Sequence, residues 1–388
     1  MRICLITYEY PPDTGIGGIG TYMYQLSKSL EKKKIKTEII CATGKKSYTE
    51  EQGDYLSITR INCHSTEEFR KLAPPVAKER FDIKPFDVIE CPEFGAEGLH
   101  IKEVLPDIPL VIKFHTPKFL IKEINDFYYD QLWWRKLKLK AGFRYNYKHD
   151  PEYKATLRAD MLIAPSHSIK QIIATRWGIE EKKIIHLPYI YDPSPELLNI
   201  QPGSKSKTIL YMGRLETRKG VYNLAKAIPL ILEKIPDARF IFLGKDSRGP
   251  LREKSMKSVL EKEVAAFANS VSFLDHVSLD KIPFYLAQAQ VCVFPSLWEN
   301  FPNVCLEAMS TARNIVASQN GGMRDMLEDI STEQLVNPHD VMALADNIIA
   351  SLQNNSASDI ALQNREKVLQ EYGDMVIDKI IQLYQSLL

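Results

Sequence analysis

The feature that most constrains this chain is an alternation that runs twice. Short apolar runs of strand character take turns with amphipathic runs of helical spacing, beginning with RICLITY (2–8), KTEIIC (36–41), DVIEC (87–91), PLVIKF (109–114) and MLIAPS (161–166). The same alternation restarts further on with TILYMG (208–213), ARFIFLG (238–244), VSFLD (271–275), VCVFPS (291–296) and NIVASQ (314–319). Strands apolar on both faces need helices over both faces, so each series predicts a parallel α/β sheet. Between the series, Tyr191 to Lys207 (YDPSPELLNIQPGSKSK) loses the periodicity and carries three prolines and a Gly-Ser-Lys cluster, which predicts a linker. A chain of 388 residues is long enough for two cores. We therefore expect one domain over 1–195, a second over 205–365, and a closing helical stretch, 366–388, long enough to pack back on the first domain.

Composition narrows the class. Hydrophobic residues make up 45% and charged residues 26%, with a formal net charge of +1, which argues against a nucleic-acid partner and against an acidic tail. No run approaches the roughly 18 apolar residues of a membrane span, and the N-terminus enters a strand directly, so a cytoplasmic protein is expected. The six cysteines never occur as C-x-x-C and sit mostly in apolar contexts, so reduced structural thiols are expected rather than zinc ligands or disulfides.

Between the first strand and the first helix, Gly15, Gly17 and Gly20 spell G-x-G-x-x-G. That spacing marks a dinucleotide site only when it follows a strand directly and opens a helix. Here Glu9 to Thr14 intervene, and the second strand ends in Ala42-Thr43-Gly44 with no carboxylate for a ribose. The glycines therefore suit a phosphate-side or sugar-side loop, or a plain turn, and not an NAD loop.

Ligands of open α/β sheets sit beyond the carboxyl ends of the strands. In VFPSLWENFPNVCLEAMS, Glu299 lies on a loop after a buried strand, and Glu307 in the first turns of a helix opening near Pro302 or Asn303. A carboxylate accepts two hydroxyl hydrogen bonds, as a sugar diol requires, and the neighbouring helix N-terminus favours anions. Taken singly, each carboxylate also suits a solvated loop or a helix-dipole role. In LYMGRLETRKG, Arg214 and Lys219 follow the first strand of the second series and suit a diphosphate, one by bidentate grip and one as a movable charge. His115 ends the strand of LVIKFHTP, where it serves either as a rim residue or as a hydrogen-bond partner for a sugar.

Taken in order, PP-x-x-G-x-G-G, F-H, A-D-x-L-I-A-P-S, G-R-L-x-x-R-K-G, P-S-x-x-E-N-F-P-x-x-x-L-E-A-M and G-G-x-x-D cover nearly the whole chain and resemble a retaining glycosyltransferase of the GT4-like class. The resemblance implies an α/β GT-B architecture, two Rossmann-like domains facing across a cleft. It implies transfer of a hexosyl group from a nucleoside diphosphate sugar to an acceptor hydroxyl, in polysaccharide or glycolipid synthesis. By the same resemblance, Glu307 binds the donor's ribose, and Glu299 the transferred sugar with help from Asn300, Phe301, Asn303 and Val304. Arg214 and Lys219 hold the diphosphate, and the Gly17-Gly18 loop closes on it. His115 lies near the anomeric carbon, while His276 and Val277 receive the base through their backbone. With His115, Glu299, Arg214 and Lys219 as the catalytic set and no D-x-D triplet in the chain, neither a metal nor another cofactor is expected.

Three departures stand out. Pro188-Tyr189-Ile190-Tyr191-Asp192 replaces the usual P-N-G-V-D, Ser310-Thr311-Ala312 lacks a common glycine, and Asp325 stands where Glu is frequent. A sugar phosphorylase, a nucleotide-sugar epimerase or a silent sugar-nucleotide-binding protein would share the architecture. The segment 133–148 interleaves Trp133, Trp134, Phe143, Tyr145 and Tyr147 with six cations, and is a candidate for peripheral contact with an anionic membrane or for a helix packing its aromatics inward.

Overall fold

A computed structural model describes residues 1–15, 17–129, 145–249, 255–275, 277–353 and 359–388. The chain divides into two compact units: among the described residues the first holds Met1–Ile121, 145–192 and Glu371–Leu388, and the second holds 122–129 and those of Pro193–Gln370.

The first unit is built on a sheet ordered β3-β4-β2-β1-β5-β6-β7-β8. Its strands are β1 (Arg2–Thr7), β2 (Lys36–Thr43), β3 (Tyr48–Gln52), β4 (Leu56–Asn62), β5 (Val88–Pro92), β6 (Leu110–Lys113), β7 (Met161–Ala164) and β8 (Ile184–His186). All neighbours pair in parallel except β3 and β4. Central β1 shows why: Ile3, Cys4, Leu5 and Ile6 are all fully buried, so both faces need cover. The apolar-run reading finds β1, β2, β5, β6 and β7 and misses β3, β4 and β8. Strand β3 (YTEEQ) is a mostly exposed, acidic edge, a composition that suits an edge and hides it from a hydrophobicity criterion. Strand β4 carries the buried Arg60 in its middle, and β8 has three residues.

Three helices of this unit matter below: α1 (Gly18–Lys32), α2 (Thr66–Ile83) and α3 (Pro151–Leu157). Ser65 caps α2 by accepting from the Glu68 N–H, and Asp150 caps α3 by accepting from the Glu152 N–H. The last helix, Asp374–Gln385, belongs to this unit as well. Its Tyr384 hydroxyl donates to Glu90 Oε2 at 2.5 Å, and Tyr22 of α1 donates to Glu90 Oε1 at 2.8 Å. Lys33 adds ion pairs to Asp378 and Asp374 at 2.7 and 3.2 Å.

The second unit has a parallel sheet ordered β11-β10-β9-β12-β13-β14. These strands are β9 (Thr208–Met212), β10 (Arg239–Leu243), β11 (Val271–Leu274), β12 (Val291–Phe294), β13 (Asn314–Ser318) and the two-residue β14 (Leu335–Val336). The chain starts at the centre, steps outward through β10 and β11, then returns to the other side of β9 as β12. That reversal splays the loops after β9 and β12 apart and makes their junction the place where an open α/β sheet binds ligands. Helix α4 (Val221–Lys234) follows the first of these loops and α5 (Asn303–Ser310) the second. Leu224, Ile228 and Ile231 of α4 are buried against the sheet with Ile209, Phe240 and Val293. All six cysteines are buried free thiols.

Candidate active site

The two loops at the reversal are fastened to each other by backbone. The Leu297 N–H donates to the Arg218 carbonyl at 2.8 Å. Gly220, at φ +68°, turns the chain into α4 so closely that an added Cβ would lie 1.8 Å from the Pro295 carbonyl oxygen. Gly321, at φ +82°, passes Glu299 just as tightly, with a Cβ position 2.0 Å from the Glu299 carbonyl oxygen, which accepts from the Gly322 N–H at 2.8 Å. Both glycines are required by left-handed backbone and by space. Gly220→Ala is expected to destabilise the protein by at least about 2 kcal/mol, read from urea unfolding, because neither φ nor the carbonyl can yield without parting the loops.

That scaffold gathers charge. Glu299, 9% exposed, accepts from Arg218 Nη1 at 2.9 Å and from Lys219 Nζ. Arg218 Nη2 also donates to Glu216 Oε1 at 2.8 Å, and Arg214 Nη2 lies 3.5 Å from that oxygen. Burial pushes the Glu299 carboxyl up, but Arg218 and Lys219 outweigh it and hold the group below its ordinary value. Burial lowers Lys219, and Glu299 restores only part of that shift. Three cations thus face two carboxylates, and the surplus of positive charge sits at the carboxyl end of β9.

Arg214 is 62% exposed at its side chain, so it is the outer member of this group, whereas Lys219 is 16% exposed and sits inside it. Arg218 was not singled out from sequence. As the first residue of R-K-G it looks like a solvated neighbour of Lys219, yet it is buried and bridges two carboxylates. The sequence signal for it is Glu216, two positions earlier, a carboxylate beside a strand end that a neighbouring cation can neutralise.

Glu307 lies on α5, half-buried, and burial pushes its carboxyl up to about 7. Pro302 precedes α5 as its cap, Asn303 and Val304 form its first turn, and Asn300 and Phe301 are buried in the loop before it. Val277 follows β11 at the same end of the sheet, and His276 lies outside the described residues.

In the first unit, His115 follows β6 and is buried. Its backbone N–H donates to Glu93 Oε2 at 2.6 Å. Its Nδ1 lies 3.0 Å from the Lys113 carbonyl, which can only accept, so Nδ1 carries the proton. The ring rests edge-on against Tyr22 and tilted against Tyr189, with centroids 5.4 and 5.1 Å away. Glu93, which no motif of the chain marks, is fully buried, one of three buried carboxyls with Glu90 in β5 and Glu97 after it.

The glycine loop is also tied down. Arg60 donates to the Tyr10 and Pro11 carbonyls at 3.3 and 2.8 Å. Glu9 Oε2 accepts from the Gly20 N–H at 3.3 Å, and a Cβ on Gly17 would come within 2.8 Å of the same oxygen. A carboxylate of the chain itself therefore occupies the N-terminus of α1, beside Gly17 and the exposed Gly18. Of the aromatic and basic segment, residues 133–144 lie outside the described residues. Tyr145 stacks on Phe119 at 4.6 Å and Tyr147 meets Tyr153 edge-on at 5.0 Å, so both rings face protein. Among the described residues no helix is long and apolar enough to cross a membrane.

The family model for glycosyl transferases group 1 matches residues 206–354, and that for glycosyltransferase family 4 matches residues 16–194. The chain belongs to the group 1 glycosyltransferases. A glycosyltransferase of Methanocaldococcus jannaschii is 24% identical, over 99% of this chain and 98% of its own. The sucrose-phosphate synthase of Thermosynechococcus elongatus superposes with a TM-score of 0.74 at 20% identity, covering 100% of this glycosyltransferase and 98% of that chain. Anabaena HepE, solved with UDP and glucose, gives 0.67 at 17% identity, with 100% of both chains covered. The glycosyltransferase thus has GT-B architecture, with two parallel-sheet, Rossmann-like domains.

Proposed function

We propose that this glycosyltransferase transfers a hexosyl group from a nucleoside diphosphate sugar to a carbohydrate or glycolipid acceptor, with retention of anomeric configuration and without a metal. The observation that carries the reading is the cluster of Arg214, Arg218 and Lys219 around Glu299 at the β9–β12 reversal. A diphosphate there draws Lys219 and Arg214 to its oxygens, and the leaving charge is stabilised without a cation from solution. Lys219 then gives up its bond to Glu299, whose carboxylate turns to the hydroxyls of the transferred sugar while Arg218 keeps it in place. Glu307 takes the ribose diol, and the first turn of α5 supplies N–H groups. His115 is assigned to the transferred sugar, with its Nδ1 proton held by the Lys113 carbonyl. Front-face attack, with a phosphate oxygen of the leaving group taking the acceptor proton, needs no protein nucleophile.

Calorimetric titration of UDP, GDP and ADP, with and without EDTA, tests the donor class, and NMR of the product's anomeric proton tests retention. Inversion, or activity abolished by EDTA, overturns the corresponding part. The pH dependence carries a further expectation. A carboxyl raised to about 7 binds a diol best once ionised, so nucleotide affinity should rise between pH 6 and 8 and then level. Glu307→Gln should bind more weakly and remove that component of the rise, leaving only the slope contributed by the phosphates.

A further inference from the structure

Unit 1 holds a cavity of about 240 Å³ at the carboxyl end of its sheet, close in sequence to His115. Lys118 lies three residues after His115, and Gly95 two residues after Glu93, the acceptor of the His115 N–H. Four separate stretches make the walls: the loop after β5 through Gly95, the loop after β6 through Lys118, the first turns of α2 through Glu67 and Arg70, and the segment that leads into α3, 145–152. They are fixed before any ligand arrives. Glu152, 1% exposed, accepts from the Gly95 and Lys118 N–H groups, each at 2.9 Å. Arg70 Nη1 donates to the Gly95 carbonyl at 3.2 Å, and Lys118 Nζ to Thr66 Oγ1 at 3.3 Å.

The size and chemistry of the cavity restrict its occupant. Its volume falls below the roughly 300–1,000 Å³ of sites for drug-sized ligands, which leaves room for about one sugar ring. Its polar wall mixes donors (Arg70, Lys118), acceptors (Glu67, Asp150) and an amide that is both (Asn146), beside the ring of Tyr145. Hydroxyl groups, which donate once and accept twice, are satisfied by such a mixture. An anion is not: the two cations face two exposed or half-buried carboxylates, Glu67 and Asp150, so the wall offers no surplus of positive charge.

We propose that this cavity is a subsite for one uncharged sugar residue of the acceptor, read through its hydroxyls by Arg70, Lys118, Asn146 and Asp150. The proposal rests on the function given above and names the acceptor chemistry that function leaves open.

Saturation-transfer NMR on the full chain tests it, with the methyl glycosides of glucose, galactose, mannose and N-acetylglucosamine as neutral probes and glucose 6-phosphate as the anionic one. At least one neutral glycoside is expected to receive saturation. Arg70→Ala should weaken it about fivefold, the loss of one hydrogen bond, and Asn146→Trp should abolish it by filling the cavity. The rise in Tm on adding UDP, GDP or ADP to the same samples reports folding and the donor site separately. Neutral glycosides that bind nowhere, or bind equally well to both variants, overturn the subsite, as does tighter binding of glucose 6-phosphate at this place. Absence of any nucleotide effect overturns the donor reading instead, and the glycoside arm still decides the cavity.

Discussion

Lys219→Ala is expected to lower kcat/KM for sugar transfer by about 100- to 1,000-fold, the cost of removing one preorganised partner of developing charge. The side chain is mostly buried beside Glu299, where burial already lowers its pKa, so its ammonium is held out of bulk water at a cost the fold has met in advance. Under the proposed function, a diphosphate leaving group would offset that cost as its charge grows in the transition state. Stability should fall by less than on loss of Arg218, since Arg218 still pairs with Glu299, Glu216 keeps its partner and a poorly solvated cation is gone. Steady-state kinetics with the donor varied, alongside a melting curve, separates the two effects. A kcat/KM within about fivefold of the parent removes Lys219 from the chemistry.

Arg218→Met is expected to act first on stability. The guanidinium is buried and bridges Glu216 and Glu299, so among the described residues its loss leaves the buried Glu299 carboxylate with Lys219 as its remaining ion pair. Breaking a buried pair by removing one partner costs about 3–5 kcal/mol, or roughly 10 °C in Tm for a unit of this size. The sign with pH follows from Glu299, whose carboxyl sits below its ordinary value in the folded protein. Its contribution is present above the unfolded carboxylate pKa and is lost as pH falls through the folded one. The difference between parent and variant should therefore be large at pH 7 and shrink in acid, as scanning calorimetry across pH will show. An equal difference at pH 3 and pH 7 would place the role of Arg218 in packing rather than in charge.

What can be read from a sequence depends on how locally a feature is encoded. Ten strands were legible as apolar runs because buried parallel strands need apolar side chains on both faces, a demand written into consecutive residues. Strands β3, β4, β8 and β14 were not: the edge strand β3 exposes one side, β4 sets Ser57, Thr59 and Arg60 among its apolar residues, and strands of three and two residues have no period to detect. Arg214, Lys219 and Glu299, and Glu307 on α5, stand out because charged residues follow strand ends there, where an open α/β sheet binds ligands.

Their relation did not stand out. That Glu299 is neutralised by Arg218 as well as Lys219, and that Glu9 fills the N-terminus of α1, are pairings between residues 81, 80 and 11 positions apart. Charge type and strand position are properties of single residues, and so the sequence alone determined which unit carries the cations and carboxylates and at which strand ends they emerge. Which carboxylate meets which cation, and how far burial moves each proton, depends on distances set by the β9–β12 pairing and the glycine contacts beneath the loops. Only the tertiary structure decided those, because electrostatic strength falls with separation and rises with exclusion of water, and neither is a property of chain order.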